Sequence, residues 1–133
     1  MPITRGRLGP LVAAVIGLLL ARRWIDVVEV RGESMTPALQ PGDRLLVVRH
    51  RSSMRRGDVV LALDPRDAAR EVVKRVESVT DDDVVLRGDH AAASTDARTF
   101  GALPVSAVTW RAVLRYWPPA RIGRIPAAAT DVD

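Results

Sequence analysis

The sequence predicts an all-β domain preceded by one hydrophobic helix. Three observations carry this. A single uninterrupted apolar run lies near the N-terminus, Leu8–Ala21. Short valine- and leucine-rich pieces follow, separated by turn residues. Beyond Trp24 no stretch repeats its apolar residues with helical spacing.

The apolar run, LGPLVAAVIGLLLA, has no charged or strongly polar side chain. As a helix its 14 residues extend about 21 Å. A spanning helix prefers roughly 20 residues. Arg5 and Arg7 precede the run, Arg22 and Arg23 follow it, and all four can snorkel, while Trp24-Ile25 prolong its apolar character. Residues 1–25 therefore read first as a membrane anchor, a single transmembrane helix. A core or interfacial helix and a cleaved signal peptide are the other readings, although Leu20-Ala21-Arg22-Arg23 offers no small-x-small exit. Two arginines at each end leave the orientation open.

The strands expected next are Val27–Arg31, Arg44–Val48, Asp58–Leu63, Glu71–Val79, Val84–Arg87 and Ala107–Trp117. Gly42-Asp43, Gly57-Asp58 and Gly88-Asp89 mark turns, since glycine tolerates a tight backbone and aspartate can bond to its own turn. Asp64–Arg70 reads as one helical turn or a polar loop, and Ala91–Ala93 as an alanine-rich loop. The body, 26–118, is the size of one small barrel or sandwich. Residues 119–133 follow Pro118 and contain Pro119, Pro126 and three consecutive alanines, the composition of a flexible tail.

Composition narrows the chemistry. The 133 residues include no cysteine, which excludes disulfides, thiolate metal sites and cysteine nucleophiles. Two histidines, His50 and His90, are too few for a histidine-built zinc site, and no metal or other cofactor is expected. The net charge of +4 resides in residues 1–23; the rest carries sixteen bases and sixteen acids. With one Tyr, one Phe and three Trp for base stacking, nucleic acid is not an expected partner. Of the twenty basic residues nineteen are arginine, and the exception is Lys74. Arginine keeps its charge, whereas a lysine can lose its proton where its surroundings favour that.

Strand alternation gives the lysine a context. Val72, Lys74 and Val76 share one face; Glu71, Val73, Arg75 and Glu77 share the other. Lys74 is thus expected on the face to be buried and Arg75 on the solvent side. Burial disfavours an ammonium, which is how a lysine becomes a general base. The bland alternatives are a rim lysine that snorkels or one paired with a buried carboxylate. Upstream, Ser34 stands in Arg31-Gly32-Glu33-Ser34-Met35-Thr36-Pro37, where the chain leaves a strand through glycine and heads for proline. A serine so held can present its Oγ as nucleophile and its N–H as oxyanion donor, or be an ordinary turn serine.

These residues, with two further blocks, resemble the type I signal peptidase family, and in particular its short, actinobacterial-type members. Gly32-Glu33-Ser34-Met35-Thr36-Pro37 is similar to the family's nucleophile box and Arg56-Gly57-Asp58-Val59-Val60 to its next strand box. Val73-Lys74-Arg75-Val76 is similar to the general-base box. Gly88-Asp89-His90, continuing through Ser94-Thr95-Asp96-Ala97-Arg98 to Phe100-Gly101, is similar to the closing box. The four blocks are collinear and lie within residues 27–117.

The resemblance implies a signal-peptidase-like β domain with coiled, barrel-like sheets and a Ser-Lys dyad serine endopeptidase. Ser34 would be nucleophile and oxyanion donor, Lys74 general base, and Ser94 the hydroxyl that orients the lysine. Gly32, Pro37, Gly88, Asp89, Asp96 and Arg98 would support the site, and Met35 would either help wall the substrate pocket or fill the core. Substrates would be pre-proteins or leader peptides, bound extended and cut after small residues. The implied place is the cell membrane, single-pass, with the catalytic domain extracytoplasmic. Three positions depart from the pattern: Gly32 where some members have a donor serine, His90 where asparagine is usual, and Ala97 where serine is common. A dedicated maturation protease for one partner, such as those for nickel superoxide dismutase, would share the chemistry but act in the cytoplasm. A self-cleaving repressor is disfavoured by the hydrophobic N-terminus and the closing box. A non-catalytic, membrane-tethered β module is disfavoured by the joint presence of Ser34, Lys74 and Ser94.

Overall fold

The computed structural model describes residues 8–49, 54–90 and 101–127. Helix α1 covers Leu8–Ala21. The strands are β1 (Ile25–Glu29), β2 (Arg44–Val48), β3 (Val59–Asp64), β4 (Asp67–Val79), β5 (Asp83–Arg87), β6 (Leu103–Pro104) and β7 (Val108–Trp117). They form one seven-stranded sheet in the order β1-β2-β7-β3-β4-β5-β6, and every neighbouring pair is antiparallel. The all-β expectation is met, with β1 and β6 as the two edges of this sheet.

The sheet carries apolar side chains on both faces of its centre. One cluster contains Met54, Val60, Ala62, Val76, Val84, Leu86, Leu103 and Val108. The other contains Val30, Met35, Leu39, Leu45, Val47, Val59 and Leu61. Consecutive residues of β3 thus feed opposite clusters, which is why this strand reads as an unbroken apolar run rather than an alternating one. Removing a leucine such as Leu39 or Leu45 from water contributes about 2 kcal/mol. The two-sided core therefore outweighs any single polar contact.

That arrangement also corrects the expectation for Arg75. Lys74 is 3% exposed, as expected, but Arg75 is only 7% exposed. Alternation sends one of them to each face, and here both faces are covered. Arg75 tolerates burial because every guanidinium nitrogen finds an acceptor. Its Nε and Nη2 donate to Asp89 at 2.8 and 2.9 Å, Nη1 to the Gly57 carbonyl at 2.8 Å, and Nη2 also to the Pro126 carbonyl at 2.9 Å.

Two other segments differ from their sequence reading. Residues 64–70 form neither a helical turn nor a loose loop. The Asp64 carboxylate accepts the Arg66 N–H at 2.9 Å and the Arg66 guanidinium, which tightens the chain so that β4 starts at Asp67. Residues 119–127 do not form a free tail. A one-turn 3-10 segment, Pro119–Arg121, leads to Gly123, whose N–H and carbonyl both bond to the Arg115 backbone, and Ile125 packs on the second cluster. Composition misled here because proline and alanine lack polar side chains, whereas the ties are made by backbone groups and arginines. Residues 128–133 lie outside the described residues.

Helix α1 stands apart from this core. Every residue from Gly9 to Ala21 is exposed, which excludes the buried-helix reading. Among the described residues no helix is long and apolar enough to cross a membrane.

A buried charge knot fastens the end of β7 to the loop after β1. Asp43 is fully buried and accepts Arg115 Nη1 at 3.0 Å, Arg121 Nη2, and the Gln40 N–H at 2.9 Å. Arg115 also donates to the Ala38 carbonyl at 2.9 Å. Replacing Asp43 with alanine leaves the buried Arg115 without its counter-ion, so a loss of about 3–5 kcal/mol is expected. Urea unfolding followed by circular dichroism measures it; an unchanged midpoint would show that the knot does not hold the fold.

Candidate active site

The segment after β1 explains how Ser34 is presented. Val30 is anchored in the core, with its N–H donating to the Asp43 carbonyl at 2.7 Å and its own carbonyl accepting the Gly42 N–H at 2.9 Å. The chain then turns through Gly32, whose φ of 75° lies in the left-handed region. A serine at this position would be strained there. A turn at Glu33–Thr36 follows, closed by the Thr36 N–H and hydroxyl, both donating to the Glu33 carbonyl at 3.2 and 2.9 Å. Met35 points inward, 1% exposed, into the cluster of Val30, Leu39, Leu45 and Val47. Of its two expected roles it takes that of core filler, and it is not among the residues lining the cleft described next. Burying Met35 levers its neighbour Ser34 the other way. Pro37, beyond this turn, is exposed.

Ser34 and Lys74 line one cleft of about 740 Å³, together with Gly32, Val72 and Val73. Ser34 is half-buried, and the lysine comes from β4 opposite Val60 of β3. Two residues fixed 40 positions apart in sequence are thus brought to the same concavity by the β1 exit loop and the centre of β4. Apart from Ala69 the remaining lining is charged: Glu29, Arg31, Glu33, Arg66, Asp67, Arg70 and Glu71. Sequence reading passed over this rim, whose signal was the density of charge in Asp64–Glu71 and Glu29–Glu33.

Two expected supports are found where the closing box begins. Gly88 is buried at the exit of β5, and Asp89 forms the ion pair with Arg75 described above. Next to them, the His90 N–H donates to the Ser34 carbonyl at 2.8 Å, and its Nδ1 lies 3.0 Å from Thr36 Oγ1. The turn after β5 is therefore bonded both to the lysine's strand and to the serine's turn. Ser94, Asp96, Ala97 and Arg98 lie outside the described residues. Among the described residues no group of three or more histidine, aspartate and glutamate side chains is placed to hold a metal.

A backbone feature completes the cleft. β3 pairs with β4 from Glu71 to Arg75, whereas β5 begins its pairing only at Arg75. Over residues 71–73 the second edge of β4 thus has no strand partner among the described residues. These residues line the cleft.

A family model for signal peptidase, peptidase S26, matches residues 7–87. The chain belongs to the signal peptidase S26 family, and its class is that of a signal-peptidase-like protease. Among its relatives, the mitochondrial ATP-independent inner membrane protease subunit 1a of Arabidopsis thaliana is 32% identical, over 76% of this chain and 76% of its own length. The mitochondrial inner membrane protease subunit 2 of Danio rerio is 30% identical over 92% of this chain and 81% of its own. Subunit 1 of Homo sapiens is 28% identical over 77% and 75%.

At the cleft mouth, hydrogen bonds from the Arg66 side chain and backbone hold the Asp64 carboxyl below the usual carboxylate range. A lowered folded-state pKa stabilises the hairpin above the unfolded value, about pH 4, and that contribution is lost as pH falls through the folded value. Arg66→Ala should move the Asp64 carboxyl upward in a carbon-detected NMR titration. An unmoved titration would mean that Arg66 does not set it.

Proposed function

We propose that the chain is a serine endopeptidase that removes N-terminal leader or signal peptides, with Ser34 as nucleophile and Lys74 as general base. The observation that carries this reading is that the half-buried serine and the one lysine of the sequence line the same cleft. A 3%-exposed amine on an apolar strand face is of the kind that can act neutral. An arginine there would stay charged.

In this mechanism the neutral Lys74 amine takes the proton of Ser34 Oγ as the oxygen attacks the scissile carbonyl. The Ser34 N–H donates to the oxyanion. The protonated amine then delivers its proton to the leaving nitrogen, the C–N bond breaks, and Lys74 deprotonates water to hydrolyse the acyl-enzyme. Over residues 71–73 β4 has an edge with no strand partner among the described residues, which gives the substrate a strand to pair with, so main-chain bonds bind and alternate side chains select. Ser94 would orient the amine, with Asp96 and Arg98 supporting the closing box. Cleavage after small residues rests on the family resemblance.

Ser34→Ala should reduce cleavage of a leader-bearing precursor by about 10⁴-fold or more at unchanged melting temperature. Lys74→Arg, which keeps the charge but supplies no neutral base, should be as inactive. Precursor processing followed by gel shift reads both, and near-normal turnover by either variant removes the dyad.

The same reading places the enzyme at a membrane, as the names of its inner membrane protease relatives do for them. An exposed apolar α1, followed by Arg22, Arg23 and Trp24, has the make-up of a segment that enters the bilayer with its cations at the headgroups. Its length of about 21 Å is short of a hydrocarbon core of roughly 30 Å. Removing residues 1–23 should abolish co-sedimentation with anionic lipid vesicles and leave the β domain folded. Undiminished binding would assign the membrane contact to the β domain instead.

A further inference from the structure

The departure of His90 from the asparagine usual in this family has a defined place in the structure. Its backbone N–H donates to the carbonyl of Ser34 itself. Its ring reaches over the same turn to Thr36 Oγ1 at 3.0 Å. The hydroxyl of Thr36 has one proton, and the Glu33 carbonyl 2.9 Å away is placed to accept it. If that proton went to the ring, the hydroxyl's contact with the Glu33 carbonyl would be an acceptor facing an acceptor. The arrangement that satisfies all three atoms has Thr36 donating to Glu33 and His90 Nδ1–H donating to Thr36 Oγ1.

Asparagine offers the same donor at nearly the same reach, since its side-chain NH₂ lies about where Nδ1 lies in histidine. The two residue types are then equivalent in what they do to Thr36. Asp89, one residue earlier, is fixed to Arg75, which follows Lys74 on β4. A bond from His90 to the Glu33–Thr36 turn therefore carries the position of the lysine's strand to the serine's turn. Displacement of a reacting group by a fraction of an ångström costs rate without preventing binding.

We propose that His90 is a positioning residue, whose Nδ1–H to Thr36 Oγ1 bond fixes the turn bearing Ser34 relative to β4. This deepens the proposed function and rests on Ser34 being the nucleophile.

The test uses the full chain with a leader-bearing precursor. In wild-type protein, nitrogen-15 NMR should find that the neutral ring carries its proton on Nδ1. His90→Ala and Thr36→Val should each lower kcat by about tenfold with KM little changed, and the double variant should be no slower than the singles. His90→Asn should recover most of the rate lost in His90→Ala. A ring protonated on Nε2 alone, additive losses in the double variant, or an Asn variant as slow as the Ala variant overturns the proposal. In the Ser34→Ala background, His90→Ala should still speed amide exchange at Thr36. Residual proteolysis by Ser34→Ala defeats the assignment of the nucleophile, whereas unchanged Thr36 exchange defeats the lock alone.

Discussion

The guanidinium of Arg75 is the contact on which the rest of the site depends. It is buried between two faces of the sheet and meets Asp89 after β5, Gly57 before β3, and Pro126 near the chain's end. A charge in that position is tolerable only when all its protons are accepted. Satisfying it therefore obliges three separate segments to converge on the strand position next to Lys74. The ion pair is not a large source of net stability, because desolvation offsets much of its attraction. Its value is geometric: it permits one arrangement of those segments.

The sheet supplies the frame within which that constraint acts. Because β3 gives alternate residues to two clusters, both faces of its neighbour β4 are covered at the level of residues 74–76. Toward Asp67 the same strand emerges from the core and its exposed residues line the cleft. One strand thus passes from the buried Lys74 to a solvent-facing rim in a few residues. The serine arrives by the opposite logic, pushed outward because Met35 and Leu39 take the inward positions of its turn.

Much of this was legible in the sequence where a residue's neighbours along the chain decide its environment. Arg44–Val48 reads as a strand from its run of Leu45, Leu46, Val47 and Val48, although only Leu45 and Val47 of these are fully buried. Leu8–Ala21 announces itself by containing nothing but apolar side chains, glycine and proline. The lysine stood out because the chain has no other. Reading failed where the environment comes from afar. Arg75 was assigned to solvent because alternation fixes that it opposes Lys74 but not what covers the opposing face. Met35 stayed open between pocket and core because adjacency to Ser34 says nothing about direction. Residues 119–127 read as loose because Gly123 and Pro126 bond through backbone atoms, which composition does not display.

That last segment bears on what truncation would do to the cleft. Arg121 completes the Asp43 knot and the Pro126 carbonyl completes the shell around Arg75. A chain cut before Arg121 would keep Ser34 and Lys74 yet leave both buried charge networks short of a member. The segments flanking the cleft would then lose the ties that hold them in register, although every residue lining it would still be present.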